Sequence, residues 1–124
     1  MSGEHRIFRT PFADVYPLYV AKVERKGRSR SELDAVIAWL TGYGAPELEA
    51  VIRARVDLGS FLRGAPAMNP AREQVRGVVC GVRVEDVEDP LMRELRRLDK
   101  LVDELAKGRP LDKVLRRAGA GGCS

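Results

Sequence analysis

The residues best suited to chemistry stand together in the middle of the chain, where an apolar run passes into a cluster of acids. Residues 78–84 (VVCGVRV) are followed by Glu85, Asp86, Glu88 and Asp89. Such carboxylates could hold a hard cation such as Mg²⁺, or act as an acid/base pair. These sites usually draw carboxylates from several segments. We therefore favour acids that stand at the positive end of a following helix, with Asp89 as its cap. An ionic contact with a partner or with another segment of the chain is the alternative.

Cysteine and histidine add little to this chemistry. Cys80 lies in the apolar run, and free cysteine is among the most buried residue types, so we predict an inert core thiol. Cys123 lies in a glycine-rich tail, and His5 is the one histidine, which leaves too few ligands for structural zinc. We predict no metal and no cofactor. An enzyme with a site near Cys80 and Glu85–Asp89 is the least favoured interpretation, because no nucleophile elbow or phosphate loop is present.

Positive charge is concentrated in two segments, residues 22–30 and residues 107–117. The first segment contains Lys22, Arg25, Lys26, Arg28 and Arg30. It could contact phosphate groups, which gives weak nucleic-acid binding as one hypothesis. We favour a solvated turn, with cations that complement the dipole at a helix C-terminus. No aromatic residue alternates with the cations of the loop, as it generally does in proteins that stack the bases of single-stranded nucleic acid.

Aromatic residues supply the other candidate binding side chains. Tyr16, Tyr19 and Trp39 fall on the first two predicted helices, and residues of these types are common at binding hot spots. They also occur in cores with a polar tip near the surface, and we favour this role. Arg83, Glu85 and Asp86, at the end of the apolar run, complete the set of candidates.

Length and composition predict one small globular domain. The chain has 124 residues, of which 44% are hydrophobic and 32% charged, with a net charge of +4 and a pI near 9.4. We place the domain at residues 4–117, with flexible ends at 1–3 and 118–124. No apolar run approaches the roughly 18 residues that a membrane span requires, and the start lacks an apolar signal sequence. We therefore expect a cytoplasmic protein that does not contact membranes.

The hydrophobic periodicity predicts an all-α fold of five or six helices after an extended arm at residues 1–11. The first helix is predicted from Asp14 to Lys26, and the second begins at a capping box formed by Ser31 and Asp34. Further helix starts lie at Pro46, after Asn69 and after Asp89, and the starts after Asp57 and at Leu111 open only short helices. In the helix after Asp89, an apolar stripe could face the core or form a seam with a second chain, and we favour the core. The stripe consists of Leu91, Leu95, Leu98, Val102 and Leu105.

Residues 75–84 fit two kinds of secondary structure. Val75, Val78, Val79 and Val82 have helical spacing, whereas residues 78, 80, 82 and 84 alternate as in a strand, which valine favours. A strand needs a partner, and the short arm at residues 6–9 is the only candidate that we find. We therefore predict a helix. The alternative is an α+β fold with residues 78–84 as a strand.

Several segments closely resemble a bacterial family catalogued as domain of unknown function 2200. They include residues 5–8 (HRIF), 15–20 (VYPLYV), 39–43 (WLTGY), 77–86 (GVVCGVRVED), 89–93 (DPLMR) and 98–108 (LDKLVDELAKG). The resemblance covers about residues 4–117. It implies a small stand-alone bacterial protein, and it assigns no catalytic or binding residue.

The absence of a recognisable catalytic constellation favours a non-enzymatic protein-interaction module. Separated acidic and basic patches could meet their complements on a protein partner or on a second copy of the chain. Nucleic-acid binding through the basic loop is the second hypothesis.

Overall fold

The structure, a computed structural model, describes residues 6–116, and six α-helices form most of it. The helices are α1 (Phe12–Arg25), α2 (Arg30–Thr41), α3 (Ala45–Arg53), α4 (Leu58–Arg63), α5 (Pro90–Ala106) and α6 (Leu111–Val114). Three short 3₁₀ helices lie at Arg6–Arg9, Pro70–Gln74 and Val84–Asp86, and strands β1 (Val78–Val79) and β2 (Val82–Arg83) form a hairpin. The predicted all-α fold of five or six helices is confirmed. No helix within residues 6–116 is long and apolar enough to cross a membrane.

Helix α5 is the centre of the core, with α1, α2, α4 and the hairpin packed around it. Asp89 accepts a hydrogen bond from the Met92 amide at 2.9 Å, and Pro90 is the first helical residue, so the predicted cap is confirmed. From Leu95 to Leu105 the apolar stripe is buried inside the chain. Most of the stripe is therefore occupied by the protein's own core and is not free to form a seam with a second chain.

The start of α2 differs from the prediction by two residues. Ser29, and not Ser31, is the cap: its hydroxyl accepts from the Glu32 amide at 3.1 Å, and the Glu32 carboxylate accepts from the Ser29 amide at 3.2 Å. Glutamate at the third helical position reaches back to the cap, which the shorter Asp34 would do less well. Asp34 is left to contact another helix.

Helix α1 begins at Phe12, two residues earlier than predicted, so Pro17 lies in its second turn and not in its first. The arm before it is not extended throughout, because residues 6–9 form a 3₁₀ helix that packs Phe8 against α4. The segment after Asn69 and the segment at Leu111 form only short helices. The predicted ends at 1–3 and 118–124, with Cys123, lie outside the described residues.

The predicted helix through residues 75–82 is wrong. Val78 pairs with Arg83 and Val79 with Val82, so the valine run folds back on itself and supplies its own partner strand. The turn residues Cys80 and Gly81 have φ angles of +52° and +79°. Positive φ at both central positions is the signature of the two-residue type I′ hairpin turn, and an α-helix cannot pass through it. The predicted burial of Cys80 is also wrong, because the turn leaves this side chain exposed.

Replacing Cys80 by asparagine is expected to stabilise the protein by about 0.5–1 kcal/mol, because asparagine tolerates the left-handed conformation better than other non-glycine residues. Urea unfolding measures the change. The matched control is Cys80→Val, which we expect to destabilise the protein because a β-branched residue is strained at positive φ. A lower midpoint for the asparagine variant would contradict this account of the turn.

Candidate functional site

The basic loop is divided between exposed cations and cations that hold the fold together. Arg25 and Lys26 are exposed at the end of α1. Arg28 is largely buried, with its side chain 15% exposed, and it makes four hydrogen bonds. Its Nε and Nη2 atoms donate to the two Glu32 oxygens at 3.0 and 2.9 Å, and Nη1 donates to the carbonyls of Leu105 and Arg109 at 2.9 and 2.8 Å. Arg28 is therefore a cross-link between the loop and the end of α5.

This cross-link brings the two basic segments of the sequence together at one end of the molecule. Lys22 and Lys107 also meet there, since both contact Asp103, at 3.4 and 3.1 Å. Segments 22–32 and 103–116 contain nine basic and five acidic residues, an excess of four that equals the net charge of the whole chain. We call these two segments the basic end. Its exposed cations are Arg25, Lys26, Arg30, Lys107, Arg109 and Lys113.

A buried carboxylate lies beneath the basic end. Glu104 accepts from Arg116 at 2.6 and 2.9 Å, and Arg109 lies 3.2 Å from its second oxygen. A cleft of about 360 Å³ beside this cluster is lined by Lys100, Glu104, Lys107, Gly108 and Arg109. The spacing of Lys100 and Glu104 predicts an exposed ion pair, and this is wrong: Glu104 is buried by the arginines, and Lys100 donates to the Val78 carbonyl.

The hydrogen bonds from Arg28, together with that from the Ser29 amide, lower the pKa of Glu32 from 4.5 to about 2. A carboxylate with a lowered pKa in the folded state adds stability that is present above pH 4.5 and is lost as the pH falls towards 2. We therefore expect the unfolding free energy of the wild type to fall more steeply over this range than that of Glu32→Gln. Urea unfolding across the range measures both slopes, and the exposed carboxylate variant Glu24→Gln is the control. Equal slopes for wild type and Glu32→Gln would refute the coupling.

Tyr16 lies in a pocket between α1, α2 and α3. Its hydroxyl donates to Asp34 at 2.5 Å and accepts from Arg30 Nε at 3.0 Å, while the Arg30 guanidinium lies 5.3 Å from the centre of the tyrosine ring. Burial and donation to Asp34 raise the pKa of Tyr16. The pocket has a volume of about 410 Å³ and joins two predicted binding residues, Tyr16 and Arg30.

Tyr19 faces a different part of the molecule. Its hydroxyl donates to Asp99 on α5 at 2.6 Å, and Arg96 donates to the same carboxylate at 2.9 Å. Burial and the Asp99 charge raise the pKa of Tyr19 well above its usual value. A groove of about 300 Å³ lies here, with Leu18, 69% exposed, among its lining residues. The two tyrosines thus attach α1 to α2 and to α5, and they do not share a site.

The acidic run is used mainly by the local backbone. Glu85 accepts from the Gly77 amide at 3.0 Å and lies 3.5 Å from Arg83, and the Gly77 bond is the main cause of its lowered pKa. Glu85 therefore closes the loop that carries the hairpin. Asp86 is exposed. Among residues 6–116, no three histidine, cysteine, aspartate or glutamate side chains converge as metal ligands would.

The predicted binding residues thus fall into separate groups. Trp39 is half-buried on α2 and packs against the core. Sequence reasoning missed Asp34, Asp99, Glu104 and Arg96, which complete the contacts of the tyrosines and the basic end. Each of these residues lies within a helical segment, and its sequence neighbours do not indicate that it contacts a residue far along the chain.

Comparison with known proteins places the chain in a family. A family model described as an uncharacterized protein conserved in bacteria, DUF2200, matches residues 6–116. The chain belongs to the DUF2200 family. The resemblance seen in the sequence is therefore confirmed. The description of the DUF2200 family names no activity.

One solved structure shares the architecture of this DUF2200 chain. It is described as the crystal structure of uncharacterized protein SP1917 and is 44% identical in sequence. The two structures superpose with a TM-score of 0.87, over 94% of this chain and 96% of the other. No curated protein matches the sequence.

Proposed function

We propose that this protein is a cytoplasmic, non-enzymatic interaction module that binds through its basic end, and that a second copy of the chain is the partner. The observation that carries the proposal is the meeting of segments 22–32 and 103–116, which gathers the chain's net positive charge in one place. Glu88 and Asp89 are exposed at the opposite end of α5. We call these two residues, with Asp86, the acidic end.

The two ends lie far enough apart to serve separate contacts. Helix α5 has 17 residues between them, which is about 25 Å at 1.5 Å per residue. A head-to-tail contact would place the basic end of one copy against the acidic end of the next, and such contacts form rings or open chains. Complementary charge gives specificity and fast encounter more than affinity, so the association is expected to be weak and sensitive to salt.

Light scattering at two protein concentrations and two salt concentrations tests self-association. We expect the average mass to rise with protein concentration at low salt and to return to the monomer at high salt. The variant Arg25→Glu with Lys26→Glu should remain monomeric. Its control, Arg9→Glu with Arg53→Glu, makes the same change in net charge at exposed positions outside the basic end, and it should still associate. The proposal is overturned if the wild type is monomeric under all conditions. It is also overturned if the control variant loses self-association to the same extent as the Arg25→Glu, Lys26→Glu variant.

Nucleic-acid binding is the second candidate, and the joining of the two basic segments favours it. Arg28 is occupied by protein contacts and only Nε of Arg30 is bonded, so the exposed cations of the basic end would have to bind the phosphates. For binding of this kind, the logarithm of the association constant falls linearly with the logarithm of the salt concentration. The binding would be lost in the Arg25→Glu, Lys26→Glu variant. The absence of a mobility shift with both DNA and RNA at low salt would exclude it.

A further inference from the structure

The pocket beside Tyr16 has the size and the lining of a small-molecule site. Its volume of about 410 Å³ falls in the range of ligand pockets. The apolar part of its lining consists of Ala45, Pro46, Leu48 and Ile52 from α3. Three charged side chains join Tyr16 around it: Arg30 and Asp34 from α2, and Glu49 from α3. An apolar wall with a few polar groups is typical of sites that orient a ligand.

Arg30 is held in a position suited to a carboxylate. Its Nε atom is fixed by the Tyr16 hydroxyl, and its guanidinium is held near the face of the tyrosine ring. Its terminal nitrogens, Nη1 and Nη2, have no protein acceptor within residues 6–116. Two adjacent N–H donors in one plane match the two oxygens of a carboxylate, which arginine binds as a bidentate pair.

The two acids of the pocket, Asp34 and Glu49, favour a ligand that also has a positive charge. Asp34 uses Oδ1 for Tyr16, and Oδ2 has no donor among the described residues. Glu49 is 75% exposed and lies 3.9 Å from Arg53, a weak contact. A plain anion would be repelled by both acids, and a plain cation would face Arg30. A ligand with both charges satisfies all three groups.

We infer that this pocket binds a zwitterionic amino acid with an apolar side chain. The ligand's carboxylate pairs with Arg30, its ammonium group lies against Asp34 and Glu49, and its side chain packs on Leu48 and Ile52. The size of the pocket admits a side chain as large as that of leucine. The pocket shares Arg30 with the basic end but contains neither Arg25 nor Lys26, which the self-association test replaces, so the two proposals can fail independently.

Ligand titrations on the unchanged protein give the first test. ¹H–¹⁵N spectra are recorded with L-leucine, with 4-methylpentanoic acid, which lacks the ammonium group, and with 3-methylbutylamine, which lacks the carboxylate. We expect leucine to shift the amides around Tyr16 and Leu48 and each analogue to bind at least about tenfold more weakly, since each loses a charge-assisted contact. No shift with leucine, or equal binding of either analogue, overturns the inference.

Two variants and one control give the second test. Arg30→Gln and Asp34→Asn should each weaken leucine binding about tenfold or more. Arg25→Gln removes a nearby exposed arginine that does not line the pocket, and it should bind leucine as the wild type does. Leucine affinity that is unchanged in both pocket variants would overturn the assignment. If a variant fails to fold, the ligand series on the wild type still decides.

Discussion

Replacing Glu104 by alanine is expected to lower the free energy of unfolding by about 3 kcal/mol, because it leaves the largely buried Arg116 without its counter-charge. The Glu104 side chain is 8% exposed and that of Arg116 is 14% exposed. Two short hydrogen bonds join them, and Arg109 adds a contact at 3.2 Å. The loss should exceed that of a surface ion pair, since water cannot replace the missing carboxylate at this depth.

Urea unfolding measures this loss, and Glu49→Ala is the matched control. Glu49 is also a helical glutamate near an arginine, but its side chain is 75% exposed and the pair is 3.9 Å apart, so its loss should stay within about 0.5 kcal/mol. A cycle with Arg116→Met should show coupling, with the double variant losing less than the sum of the single variants. A loss below about 1 kcal/mol for Glu104→Ala would mean that water enters the cluster.

Replacing Phe61 by alanine is expected to cost about 4 kcal/mol, since it empties the middle of a three-ring stack. Phe61 is fully buried, and the centre of its ring lies 4.0 Å from that of Phe12 and 4.7 Å from that of Tyr43. Helix α4 has only six residues, too few to be stable alone, so this packing supplies its stability.

Thermal and urea unfolding of Phe61→Ala give the measurement. Leu18→Ala is the control, because Leu18 is 69% exposed and its truncation should change the stability by no more than about 0.5 kcal/mol. The loss of stability in Phe61→Leu should lie between the losses in Phe61→Ala and Leu18→Ala, since leucine leaves a smaller cavity than alanine. Equal effects at positions 61 and 18 would contradict the described core.

Folding brings separate basic clusters of the sequence together into one charged surface. In the sequence, the basic residues at 22–30 and at 107–117 are separate clusters, and the first is typical of a solvated turn. In the structure, Arg28 joins them by donating to the carbonyls of Leu105 and Arg109, and Arg25, Lys26 and Lys107 are exposed at the joined end. A partner would meet one basic surface built from two segments.

The hairpin shows where local reasoning fails and why. Residues 75–84 fit a helix and a strand equally well, because periodicity over so short a run carries little information. The glycine after Cys80 was the available signal, since a two-residue turn with a glycine at its second position allows the chain to reverse and pair with itself. Strand pairing within one run removes the need for a distant partner.

The sequence by itself determined most of the α-helices, the Asp57 and Asp89 caps and the buried stripe of α5, because each depends on residues three or four apart within one helix. The tertiary structure alone decided which polar groups meet. The bonds from Tyr16 to Asp34, from Tyr19 to Asp99 and from Arg116 to Glu104 join different segments of the chain. Their partners are selected by the packing angles of whole helices, which depend on the entire core and not on any local pattern.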